Sequence, residues 1–200
     1  MVMVKEKAPV VGKPGGGLPF YEWFIAKYFL LPRAYRDTTL ADARKFFELE
    51  TEKIIKLSKT IDAESAKKRV LIPRLRGLED NSRYWSFAMA VDHLRIVGTG
   101  LTGVILDLTM GGSKRKAVLI EDVKPDPGVE LTTAIDGFKK MTDQFLGDIA
   151  ISEIDNYPEV RFEHPWFGPM NARQWYVLSG RHQAIHRQQM KEIIKGLNGR

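Results

Sequence analysis

No cysteine occurs among the 200 residues, so the chain has no disulfide framework, no thiolate metal site and no cysteine nucleophile. Metal ligands, if any, must come from the four histidines and the carboxylates. This lack is compatible with a cytoplasmic location, which is the expectation. Long hydrophobic runs are also missing. The most apolar N-terminal stretch, residues 18–31 (LPFYEWFIAKYFLL), carries Glu22 and Lys27 and falls short of the roughly 20 apolar residues of a membrane span. It has no small-residue cleavage site and makes a poor signal peptide. It is expected to pack on the domain as a short amphipathic segment, with a membrane-surface anchor as the alternative. Charge of one sign is only mildly in excess: Lys plus Arg number 31 against 25 Asp plus Glu, a net charge of +6. That surplus permits an anionic partner without forming the clustered basic face of a dedicated nucleic-acid binder. There is no internal repeat and no alternation of strands with helices.

What is present suits one domain with a hydrophobic core: 44% hydrophobic and 28% charged residues. Residues 1–17, rich in Lys, Pro and Gly, are expected to be flexible. The stretch PRAYRDTT (residues 32–39) reads as a break, after which Thr39 can cap a helix to about Lys59 with Leu40, Ala43, Phe47, Ile54 and Leu57 on its apolar face. A basic connection follows over residues 61–79. The second helix is expected from Asn81 or Ser82 to about Met110, with Trp85, Met89, His93, Ile96, Gly100 and Val104 as its stripe. The third spans about Thr132 to Ile151 with Phe138, Met141, Phe145 and Ile149 on one face. The fourth opens on Asn171 with Gln174 placed for a capping box, and its stripe is Trp175, Leu178, His182, His186, Gln189 and Ile193. Four long helices with one apolar face each make the expected fold class all-α, an antiparallel four-helix bundle. The expected organisation is an N-terminal extension over residues 1–37 and the bundle over residues 38–200.

The histidines stand out within that pattern. His182 and His186, four apart, share one helix face, and His93 lies on the apolar face of its own helix. Each has an ordinary alternative as a hydrogen-bonded core residue. Three of four histidines on core stripes, however, can converge on one cation, for which imidazole suits Zn, Ni or Fe and leaves coordination positions open. Gln183, Ala184 and Ile185 stand between the pair, so the zincin glutamate is missing. Asp92 is a weak catalytic candidate, able to orient an imidazole or accept a proton, with a solvated or salt-bridged role as its alternative. Gln189 and His164 are weak pocket candidates. Gln189 can touch a ligand or bond within the core, and His164 can border a pocket, add a ligand or be a plain loop residue.

Two stretches, RYWSFAMAVDHL around His93 and HPWFGPMNARQWYVLSGRHQAIHRQQMKEI around His182 and His186, resemble the DinB-like family in motif and order. The resemblance covers residues 40–197; residues 1–37 lie outside it. It implies an antiparallel four-helix bundle with an unusual chain order, often dimeric, so a homodimer is expected. It also implies a divalent metal ion, Zn or Ni, held by one histidine of the second helix and two of the last: His93, His182 and His186. Characterised relatives include thiol S-transferases, so a low-molecular-weight thiol and a small-molecule substrate are implied, with hydrolysis as the other use of such a cation.

Other readings compete with this one. Gly98-Thr99-Gly100-Leu101-Thr102-Gly103 matches the dinucleotide fingerprint, with Glu121 and Asp122 near the expected spacing. The upstream sequence is continuous at helical period, however, and favours a helix whose small residues admit a close neighbour. Lys67, Lys68, Arg69, Arg74 and Arg76 in one connection and Lys114, Arg115 and Lys116 in another could track phosphates. They lack interleaved aromatics and have Glu64, Glu79 and Asp80 nearby, which favours solvated loops. A non-catalytic helical interaction protein is the remaining alternative.

Overall fold

Helix boundaries follow the capping residues. The structure, a computed structural model, describes residues 9–112 and 123–199. Thr39 caps α3 (Leu40–Ser58), its Oγ1 accepting from the Asp42 N–H at 3.0 Å. Asn171 caps α7 (Ala172–Leu197) with the full reciprocal pair: the Gln174 N–H donates to Asn171 Oδ1 at 3.0 Å, and the Asn171 N–H to Gln174 Oε1 at 2.9 Å. Helix α5 (Phe87–Thr109) starts later than expected. Asp80–Arg83 form a single 3-10 turn and Tyr84–Trp85 (β2) pair antiparallel with Val70–Leu71 (β1). Ser86 then supplies the cap, accepting from the Met89 N–H at 3.2 Å. Two aromatic residues with strand preference displace the helix start from Asn81 or Ser82 to the next serine.

Helix α6 (Leu131–Asp148) ends before the expected Ile151, and Ile151–Glu153 make a separate 3-10 turn. The aromatic loop before α7 holds a short antiparallel hairpin, Phe162–His164 (β3) against Gly168–Met170 (β4), with Gly168 at φ +83° in its turn. A five-residue helix, α4 (Ala63–Lys67), sits within the basic connection. The protein is therefore mostly helical with two small sheets, and neither sheet was expected from the sequence.

The N-terminal region departs from expectation twice. Residues 20–37 form one helical run: α1 (Phe20–Ile25), a wide π turn (Ala26–Leu30) and α2 (Leu31–Asp37). The break thus comes at Thr38, not at Pro32. A proline lacks the N–H of the normal ladder and crowds the preceding turn, and the wide turn lies immediately before it. Residues 12–17, read as flexible, are tied to the 79–81 turn. The Gly12 N–H donates to Asp80 Oδ2 at 2.6 Å, Asn81 Nδ2 to the Gly12 carbonyl at 2.8 Å, and the Gly17 N–H to Glu79 Oε1 at 3.3 Å.

Helix α3 packs on α7 and touches α6, while α5 packs on both α6 and α7. The stripes meet in one core where Phe47, Phe145 and Tyr176 stack, with ring centroids 4.1 Å and 5.5 Å apart. By length and composition α5 could cross a membrane, but 61% of that window is buried inside the protein, as in a core helix. The glycine fingerprint falls inside α5, which removes the strand it requires; Glu121 and Asp122 lie outside the described residues, as do Lys114, Arg115 and Lys116. Gly98 instead faces Met141 of α6, whose thioether a methyl group there would have to displace. At Gly180 the backbone of α7 closes on α3: a Cβ there would lie 2.9 Å from Phe46 Cδ1 and 3.2 Å from the Phe47 nitrogen. Gly180→Ala is therefore expected to cost about 1–3 kcal/mol through overpacking. Gly100→Ala, where a Cβ meets nothing within 4 Å, is expected to stabilise by about 0.5–1 kcal/mol through helix propensity. Urea unfolding of both variants checks the pair, and a stabilising Gly180→Ala would refute the close approach.

Candidate metal centre

Helix α5 delivers His93 and α7 delivers His182 and His186, because α5 and α7 pack face to face. One nitrogen of each ring can be chosen so that all three atoms lie within 4.8 Å of one another. The ring centroids are 5.3 Å apart for His93 and His182 and 4.6 Å for each of the other two pairs. Bonds of about 2.1 Å to a tetrahedral zinc would set the nitrogens about 3.4 Å apart, a small contraction from that limit. The surroundings present the rings in the form a metal needs. His93 Nδ1 donates to the Val123 carbonyl at 2.8 Å and His186 Nδ1 to Gln189 Oε1 at 2.7 Å. Both therefore keep a free Nε2 lone pair. Gln189, fully buried, is itself held by donating from Nε2 to the Ser82 carbonyl at 2.6 Å. Trp85 lies parallel to the His186 ring at 6.1 Å between centroids.

Gln189, expected to touch a ligand or to bond within the core, thus orients one imidazole. Asp92 takes the salt-bridged role. Its carboxylate pairs with Arg95 Nε at 2.8 Å and accepts the Asp126 N–H at 3.1 Å. It therefore anchors the segment that follows Val123, while its charge acts on the neighbouring His93. His164 lies outside the three-nitrogen group and borders the adjoining cavity. Its Nδ1 accepts the N–H groups of Trp166 and Phe167 at 3.1 and 3.4 Å, so its proton sits on Nε2. Sequence reasoning missed the Val123 and Ser82 carbonyls, because a backbone acceptor has no residue signature, and it missed Arg181, which precedes His182 and lines the same cavity.

No family model matches the chain, and no curated protein or solved structure matches it. The chemistry of the site therefore rests on its own residues.

The basic connection offers less free charge than its sequence suggests. Arg74 pairs with Glu22, Lys67 with Glu64 and Glu130, and Arg69 lies over the Tyr84 ring.

Burial lowers His93 and His164 to about 4 and His186 to about 3. It also holds His182 well below its ordinary value, with the neighbouring His186 and His93 adding to the effect. The imidazoles are neutral at physiological pH, the state a cation requires. In the unfolded chain these groups titrate near 6.5, so the unfolded state binds protons that the folded state refuses. The stability of the metal-free protein is accordingly full above about pH 6.5 and falls as the pH drops toward 4. Urea midpoints measured between pH 7 and 5 should decline steadily; a flat profile would show that the rings are not held neutral.

Proposed function

We propose that the protein is a divalent-metal-dependent enzyme of DinB-like type, its four long helices forming a four-helix bundle and His93, His182 and His186 holding Zn or Ni. The observation that carries this reading is the convergence of three neutral imidazoles, two with their Nδ1 protons committed to the Val123 carbonyl and to Gln189, beside a roomy cavity. The donor set fits such an ion: three nitrogen ligands, no competing carboxylate within the group, and hydrogen-bond partners behind two of the rings. A cation on three neutral ligands keeps its full charge and lowers the pKa of a bound water or thiol, which serves thiol transfer and hydrolysis alike.

The chain's own residues perform the remaining tasks. Gln189 and the Val123 carbonyl fix ring orientation, and Trp85 packs against the His93 and His186 rings. His164 Nε2–H offers a donor at the cavity wall. The apolar lining excludes water from a reacting group. A small-molecule substrate, a low-molecular-weight thiol and a homodimer belong to the same reading.

Metal content by elemental mass spectrometry, on untagged protein purified without a nickel column, tests the reading. About one metal per chain is expected. His182→Ala should lower it to near background while circular dichroism remains that of a folded protein. Near-zero metal that added Zn or Ni cannot restore would favour the helical interaction protein instead. Gln189→Met, which keeps the volume and removes the acceptor, is expected to weaken metal affinity about 10–100-fold. Competition with a chromophoric chelator measures that change, and wild-type affinity would show that Gln189 serves the fold alone.

A further inference from the structure

The three histidines stand in the wall of a cavity of about 810 Å³, within the range of about 300–1,000 Å³ typical of small-molecule sites. Its walls are the helical run from Phe20 to Asp37, helices α5 and α7, and the turn of the β3–β4 hairpin. Side chains such as Ile25, Leu30, Val97, Leu101, Leu178 and Ile185 make the lining predominantly apolar. The few polar groups are one-sided. Besides the free Nε2 lone pairs of His93 and His186, the acceptors are the carboxylates, and these are already engaged: Glu22 by Arg74 and by the Gly77 N–H at 3.2 Å, and Glu79 by the Gly17 N–H at 3.3 Å.

The donors are not. Arg181 Nε, Trp166 Nε1 and Trp175 Nε1 are buried on residues that line the cavity, and none has an acceptor among the described residues. Arg181 spends one Nη2 hydrogen on Thr38 Oγ1 at 3.2 Å and has no carboxylate partner among those residues. His164 Nε2–H adds a further donor, because its Nδ1 already accepts two backbone N–H groups. A guanidinium whose Nε is buried without an acceptor is costly to maintain without a counter-charge. An ionised carboxylate is acceptor-only and matches a guanidinium edge, so it suits a cavity whose own carboxylates are engaged and whose N–H donors are spare. An alcohol brings no charge to meet the guanidinium, and an ammonium brings one of the same sign.

We propose that this cavity binds an apolar molecule bearing a single carboxylate, whose chain lies between the N-terminal helix and the α5–α7 wall and whose carboxylate accepts from Arg181, in the cavity that the histidine cluster also lines. Its role as a substrate rests on the enzymatic reading above; its binding requires no metal ion.

Titration calorimetry on the full chain, metal-loaded and EDTA-treated, decides the matter with dodecanoate and dodecan-1-ol as probes below their aggregation limits. One dodecanoate per chain is expected in both forms, at least about tenfold tighter than dodecan-1-ol. Arg181→Met should remove that preference and leave dodecan-1-ol binding intact. Arg181→Lys, which keeps the charge without the planar fork, serves the comparison if the methionine variant does not fold, and should lose part of the preference. Ala184→Phe, at the cavity wall, should weaken both probes. Absence of saturable binding in the wild type, or wild-type dodecanoate affinity in folded Arg181→Met, overturns the proposal. Dodecanoate binding only in the metal-loaded form and insensitive to Arg181 also overturns it, while upholding the metal centre. Binding by a chain that takes up no metal supports the proposal and sinks the metal reading alone.

Discussion

The hydrogen bond from His186 Nδ1 to Gln189 Oε1, with Gln189 locked in turn on the Ser82 carbonyl, decides which nitrogen of His186 is free. An amide that accepts on one side and donates on the other cannot rotate without losing both partners, and at full burial no water replaces them. Ser82 belongs to the turn leading into β2, so the ring's tautomer is set outside the helix that carries it. The arrangement repeats at His93. There the Val123 carbonyl is held near the ring by a segment whose Asp126 N–H is fastened to Asp92. Helices bring the imidazoles together, and two non-helical segments aim them.

The electrostatics follow from the same arrangement. No carboxylate belongs to the three-nitrogen group, since Asp92 turns to Arg95 and the Asp126 N–H. A divalent ion would therefore keep its charge undivided in a place where burial already disfavours protonated rings. Arg181 adds a second positive centre with no acidic partner among the described residues. A carboxylate entering the cavity would supply the partner that Arg181 lacks. Elsewhere the protein meets a buried charge by pairing: Glu50, almost wholly inaccessible between α3 and α7, is held by Arg187 and Lys53.

Much of this was legible where one residue type carries one physical role. Thr39 and Asn171 announce helix starts because their side chains can satisfy exposed N–H groups, and the histidine positions follow from helical period once α5 and α7 are placed. Asn81 and Ser82 misled because they too can cap, while the competing strand at Tyr84–Trp85 depends on the distant pairing of Tyr84 with Leu71 and Trp85 with Val70, which is invisible to local propensity. Pro32 misled because a proline ordinarily breaks a helix, and a wide turn ahead of it is a tertiary accommodation. The aromatic loop hid a hairpin only three residues deep, too short for alternation to register. Carbonyl acceptors such as Val123 carry no sequence signal at all.

The N-terminal helix explains why a cavity survives in an otherwise close-packed interior. Of its residues only Leu31 is buried, while Phe20, Phe29 and Leu30 remain at least 60% exposed. Burial is thus a weak attachment, and polar ties do the fastening. Glu22 is held by Arg74 and the Gly77 N–H, Trp23 Nε1 donates to the Trp166 carbonyl at 2.6 Å, and Thr38 takes hydrogen bonds from Arg173 and Arg181. Apolar contact alone would draw the helix down until the gap closed, because interiors tolerate few voids. Directional bonds at both ends stop it short, at the distance their geometry sets. The helix spans the space beside the histidines and does not fill it, and the volume left beneath it is walled by side chains such as Val97, Leu178 and Ile185, whose other sides pack on the core.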